Sequence, residues 1–145
     1  HHGNGSQDIF YARDDVLYVS LHCRPEEAYP YISGAADERG EGPGRGCTRN
    51  LPLPAGTAWR EYEPALEQAL EEVARFGAMA VVVSLGFDTL EGDPIASFRL
   101  QTADFETLGR MIRRLDRPTL VMQEGGYLVS ALGEAALRFF DGMLE

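Results

Sequence analysis

The chain has 145 residues, enough for one compact domain with a sizeable core. At 44% hydrophobic and 25% charged residues it reads as soluble and globular, and no apolar run approaches the roughly 18 residues of a membrane span. The formal charge of −10 argues against direct nucleic-acid binding and draws cations toward the surface, which suits a cationic substrate; solubility alone is the simpler reading of the same charge.

The chain opens without Met at His1-His2-Gly3-Asn4-Gly5, so an upstream segment is expected, and no signal peptide is visible. Val16–Leu21, Ala80–Leu85 and Thr119–Met122 read as buried strands, because they are mostly apolar on both faces and carry β-branched residues. Between and after them lie helical patterns. Trp59–Phe76 repeats apolar residues at Leu66, Ala69, Leu70 and Val73. Ala103–Leu115 does so at Phe105, Leu108, Met111 and Ile112, and Val129–Leu144 at Leu132, Ala136, Phe139, Phe140 and Met143. Strands alternating with helices predict an α/β fold with an open, mostly parallel sheet flanked by helices. The Gly- and Pro-rich stretch from Gly34 to Gly56 reads as one long surface loop. Residues 1–145 read as part of a single domain, without internal repeats. Cys23 and Cys47 form no C-x-x-C pair and read as free thiols of a cytoplasmic protein.

Ligands of open α/β sheets bind beyond the carboxyl ends of the strands. The first strand runs into Ser20-Leu21-His22, the second into Gly86-Phe87-Asp88 and the third into Glu124-Gly125-Gly126-Tyr127. A His, an Asp and a Tyr thus stand near strand ends and suggest a site on one edge of the sheet.

Three segments carry a resemblance. His1-His2-Gly3-Asn4-Gly5-Ser6-Gln7 resembles the D-x-H-H-G-N-G-T-Q stretch of the histone deacetylase and acetylpolyamine amidohydrolase family, starting at its third residue. Ser84-Leu85-Gly86-Phe87-Asp88 with Gly92-Asp93-Pro94 resembles the family's S-x-G-x-D segment and the G-D-P that follows, and Glu124-Gly125-Gly126-Tyr127 its E-G-G-Y. Their order and spacing fit the C-terminal portion of such a domain, and the closest likeness is to bacterial acetylpolyamine amidohydrolases and class II-like deacetylases.

The resemblance implies the fold shared with arginase and zinc-dependent hydrolysis of an N-acetyl amide on a polyamine or a lysine. It implies His1 and Asp88 as zinc ligands and Tyr127 as the hydrogen-bond donor to the substrate carbonyl. Tyr29 becomes an aromatic wall of the acyl tunnel. Ile95 stands near the rim, without the acidic gatekeeper of the vertebrate polyamine deacetylase. Gly125 and Gly126 allow the sharp turn that keeps the tyrosine's approach uncrowded. Ser20 and Leu21, with the carbonyl of His1, match an inner monovalent-cation site, and Phe10, Arg13 and Val16 an outer one, so potassium joins zinc as an expected cation. His2 falls in a supporting shell, and His22 reads as structural.

The family's other zinc-binding Asp lies two positions before the residue matched by His1, and its catalytic His pair lies further upstream. Neither is in this sequence. The isolated chain is therefore expected to be inactive and to need an upstream segment or a second copy as partner, since half a sheet leaves an open edge. A non-catalytic interaction module that keeps the deacetylase fold is the alternative. An arginase-type manganese site is weaker, because Asp88-Thr89-Leu90 offers no second ligand two residues on.

Overall fold

The computed structural model describes residues 2–145. Its elements run α1 (Asn4–Phe10), β1 (Tyr18–Cys23), β2 (Thr48–Leu53), α2 (Trp59–Phe76), β3 (Val81–Leu85), α3 (Asp104–Arg113), β4 (Thr119–Gln123) and α4 (Val129–Leu144), with 3-10 turns at Gly42–Gly44 and Phe87–Thr89. The expected α/β architecture is present, and both strand pairings are parallel. Among the described residues the strands form two separate ladders, β1 with β2 and β3 with β4, rather than one continuous sheet.

The helices of α2 and α4 span the residues their periodicity predicts, and α3 lies within its predicted range. Helix α2 buries Tyr62, Leu66 and Ala69 and ends at Gly77, whose φ of 74° is the left-handed conformation that closes a helix. Helix α3 buries Phe105, Leu108, Met111 and Ile112, the four positions its pattern marks. It packs on α4 through Phe139, which is fully buried. The two helices cross so closely that a Cβ on Gly142 would overlap the carbonyl of Glu106. Both glycines of this crossing, Gly109 and Gly142, are there for contact rather than for a turn.

Two sequence expectations need correction. The stretch from Gly34 to Gly56 is not one loop, because it contains β2. That strand escapes an apolar-run criterion because its buried residues are polar, Thr48 and Asn50, and because it carries Pro52. Proline lacks an amide proton, but among the described residues β2 pairs only with β1, so its other edge meets no acceptor there. The first strand also starts later than expected. Its ladder opens where the Tyr18 amide donates to Cys47 O at 2.8 Å, which leaves Val16 and Leu17 outside. The short helix α1, which buries only Gln7, has no apolar periodicity to announce it.

The core runs from Leu66 and Tyr62 through Leu85, Phe87, Leu90 and Leu100 to Phe105 and Phe139. One face of the β3–β4 ladder lies against it. The other shows Val82, Leu120 and Met122 at 65%, 56% and 47% exposure, so the strands expected to be covered on both faces are covered on one. Among the described residues no helix is long and apolar enough to cross a membrane.

Candidate active site

The parallel pairing of β3 with β4 continues past the strand ends. The Glu124 amide donates to Leu85 O at 2.9 Å, and the Phe87 amide donates to Gly125 O, also at 2.9 Å. These two bonds set the Phe87–Thr89 turn against the Glu124–Tyr127 loop. Asp88 is buried in that turn, and glycines flank its carboxylate on two sides. A Cβ on Gly86 would overlap Oδ1, and a Cβ on Gly125 would overlap Oδ2. Gly126 has φ of 134°, and a Cβ there would stand 2.8 Å from Phe87 Cβ. The glycines of the E-G-G-Y segment thus make room for Asp88 and Phe87, which is a stricter requirement than the sharp turn expected of them.

Tyr127 follows, with its ring about half exposed. Its backbone is held from across the site by Asp93, which is 6% exposed. Asp93 Oδ2 accepts the amides of Tyr127 at 2.5 Å and Leu128 at 2.9 Å, and Oδ1 accepts that of Ile95 at 3.0 Å. In the sequence Asp93 stands only as part of the G-D-P segment, with no role attached. The available signal was an aspartate directly after Gly92 in a turn, a position suited to accepting backbone amides.

A second cluster lies at β1. His22 Nε2 lies 2.8 Å from Gly34 O, and a carbonyl only accepts, so Nε2 carries the proton. Its Nδ1 then accepts from the Ser20 hydroxyl at 2.9 Å. Ser20 Oγ is left to accept from His2 Nδ1 at 3.3 Å. Tyr18 donates its hydroxyl proton to Gly3 O at 3.0 Å and offers its oxygen to the same His2 nitrogen at 3.2 Å. The two imidazoles are buried, with centroids 4.2 Å apart. Burial, followed by the neighbouring His22, lowers the His2 pKa to about 4, and burial also lowers that of His22. Both histidines, expected in supporting and structural places, are buried in this cluster.

The remaining expected residues are placed as follows. His1 lies outside the described residues. Tyr29 precedes a cis peptide bond to Pro30, is 60% exposed and sets its ring edge-on to Tyr31. Ile95 is 53% exposed, beside the loop of Asp93. Ser20 is engaged with the two imidazoles, and Leu21 is partly buried on β1. Phe10 O accepts the Arg13 amide at 3.0 Å, the Arg13 guanidinium pairs with Asp15 at 2.6 Å, and Val16 is half-buried. Asp88 offers a metal a carboxylate oxygen donor, with Gly86 and Gly125 close on either side. Among the described residues no three potential donors gather into a metal cluster.

The β3–β4 edge thus sets an aspartate and a tyrosine-bearing glycine loop side by side at adjacent parallel strand ends of an α/β fold. Comparison with known proteins gives the family. The histone deacetylase domain matches residues 1–143, and the chain belongs to that family. It is 50% identical over 142 residues to acetylpolyamine amidohydrolase 1 of Pseudomonas aeruginosa, covering 98% of this chain and 41% of that protein. It is 39% identical over 142 residues to the histone deacetylase HDA1 of Saccharomyces cerevisiae, covering 94% of this chain and 20% of that protein. The crystal structure of an acetylpolyamine aminohydrolase from Burkholderia pseudomallei superposes with a TM-score of 0.96 at 46% identity, over 98% of this chain and 42% of that one. The chain therefore spans about two fifths of the bacterial relatives it matches.

Proposed function

We propose that this chain is the C-terminal part of a cytoplasmic, zinc-dependent deacetylase that hydrolyses N-acetyl amides of polyamines or of lysine side chains. The observation that carries the reading is the junction of Asp88 with the Tyr127 loop, made by the Phe87–Gly125 hydrogen bond and the glycine cradle of the carboxylate. The names of the bacterial relatives, acetylpolyamine amidohydrolases, favour the polyamine side.

In this reading His1 and Asp88 bind zinc together with a carboxylate from a preceding segment. Zinc, when bound, polarises the amide carbonyl and activates water. Tyr127 donates its phenolic proton in a hydrogen bond to the oxygen that gains charge, a contribution of about 3 kcal/mol in comparable sites. Tyr29 and Ile95 line the acyl tunnel and its rim. Potassium occupies positions formed around Ser20 and Leu21 and around Phe10, Arg13 and Val16. The exposed Val82, Leu120 and Met122 face is covered by the preceding segment or by a second copy, and the isolated chain turns over no substrate.

The test is an acetate-release assay on the full-length protein with an N-acetylated diamine and an acetyl-lysine peptide, with and without chelator. Chelator-sensitive turnover of at least one substrate supports the reading. Tyr127→Phe is expected to lower kcat by about 10²- to 10³-fold. Normal turnover by residues 1–145 alone with added zinc overturns the claim of incompleteness. The alternative, a non-catalytic interaction module that keeps the deacetylase fold, gains if the full-length protein neither holds zinc nor releases acetate.

A further inference from the structure

We infer that Asp93 is a positioning residue for Tyr127, an inference that rests on the deacetylase reading above. The Tyr127 ring is more than half exposed, so packing does not fix it, and its place follows from its backbone. That backbone emerges from Gly125-Gly126, a pair with more conformational freedom than any other dipeptide. Upstream the loop is tied at Gly125 O, which accepts the Phe87 amide. Between that tie and helix α4, Asp93 supplies the downstream anchor. One oxygen, Oδ2, takes both the Tyr127 and the Leu128 amide across 34 and 35 residues of sequence.

Asp93 is itself held. Its own amide donates to Leu90 O at 3.1 Å, and its carbonyl accepts the Ala96 amide at 3.0 Å. Its second oxygen caps Ile95 at 3.0 Å. One buried carboxylate thus ties the turn after Asp88, the segment bearing Ile95 and the end of the Tyr127 loop into a single unit. Hydrogen bonds to a carboxylate are stronger than neutral ones, and three of them converge here. Residue 93 sets where the phenolic hydroxyl stands without touching substrate.

Steady-state kinetics of the full-length protein with an N-acetylated diamine test this. Asp93→Asn keeps the shape but turns one acceptor into a donor facing amide protons. It is expected to lower kcat about 10- to 100-fold, the scale of a displacement near 1 Å, with KM within about twofold and zinc content unchanged. The deciding measurement is the same substitution in a Tyr127→Phe background. If Asp93 acts through the hydroxyl, the further loss there is under about twofold. Equal losses in both backgrounds mean that Asp93 merely supports the fold, and they overturn the inference. Amide exchange of the wild-type protein supplies an arm that needs no variant. Slow exchange at Tyr127 and Leu128 is expected, and rapid exchange at both overturns the anchor. An inactive wild type sinks the deacetylase reading and the catalytic sense of the anchor together; an active one with additive losses sinks the anchor alone.

Discussion

The two strand pairs of this chain solve the same problem in different ways. Each is a parallel ladder with chemistry-bearing residues on it or just beyond it. At β3–β4 the site is built from backbone: amides on Asp93, a carbonyl from Gly125, and glycines that yield space to Asp88. At β1–β2 it is built from side chains, with Ser20 passing hydrogen bonds between two buried imidazoles. The first arrangement leaves an ionisable carboxylate beside open backbone and a half-exposed tyrosine. The second seals neutral rings away from water. Glycine spacing is therefore the sensitive feature of one region, and protonation that of the other.

The largest effect expected from perturbing this contrast is at Gly125. A methyl group there meets the Asp88 carboxylate, whose position is fixed by the turn around it, so Gly125→Ala is expected to cost about 1–3 kcal/mol, the usual range for overpacking. It should also weaken metal uptake by the full-length protein. Thermal denaturation and metal content after dialysis check both effects, and an unchanged melting temperature would remove the cradle from the account.

The next effect belongs to the imidazoles. The folded pKa of His2 lies near 4, below the ordinary value of 6.5, because burial disfavours the cation. The unfolded chain therefore binds more protons between those values, and stability falls as pH drops from about 6.5 to about 4. His22 shifts in the same direction and adds to the slope. His2 contributes at most about 1.4 kcal/mol per pH unit between those values. Glu38 opposes the His2 shift, more weakly than burial drives it. Urea melts at a series of pH values test this, with His22→Gln expected to flatten the slope. An unchanged slope would show that the ring is not sealed.

The smallest effect sharpens the comparison by contrast. Gly133 sits within α4, and a Cβ there meets nothing within 4 Å. Gly133→Ala is expected to stabilise the chain by about 0.5–1 kcal/mol, opposite in sign to Gly125→Ala, because the helix interior favours alanine. A chemical denaturation curve measures the difference. Destabilisation would mean that this position is covered in the complete protein.

Helices α2, α3 and α4 were legible because one face of each repeats apolar residues at the helical period, and burial follows that face. The β3 and β4 strands were legible as short β-branched runs between helices. Strand β2 was not, since its buried face is Thr48 and Asn50, whose burial depends on partners distant in sequence. Asn50 Nδ2 donates to Gln7 Oε1 at 2.8 Å, 43 residues away, and no local pattern encodes that bond. Asp88 and Tyr127 were legible by their motifs. Asp93 was visible in the same motif, yet its role stayed hidden, because the amides it accepts come from another loop.

The sequence by itself determined the alternation of strands and helices, the helix faces and the family of the chain. These depend on periodicity and on short motifs, which are local. Only the tertiary structure decided that the glycines of the E-G-G-Y segment exist to admit Asp88, that Asp93 anchors the tyrosine loop and that His2 and His22 are sealed as neutral rings. Those properties depend on which backbone groups and side chains meet across dozens of residues, and on how much water the meeting excludes.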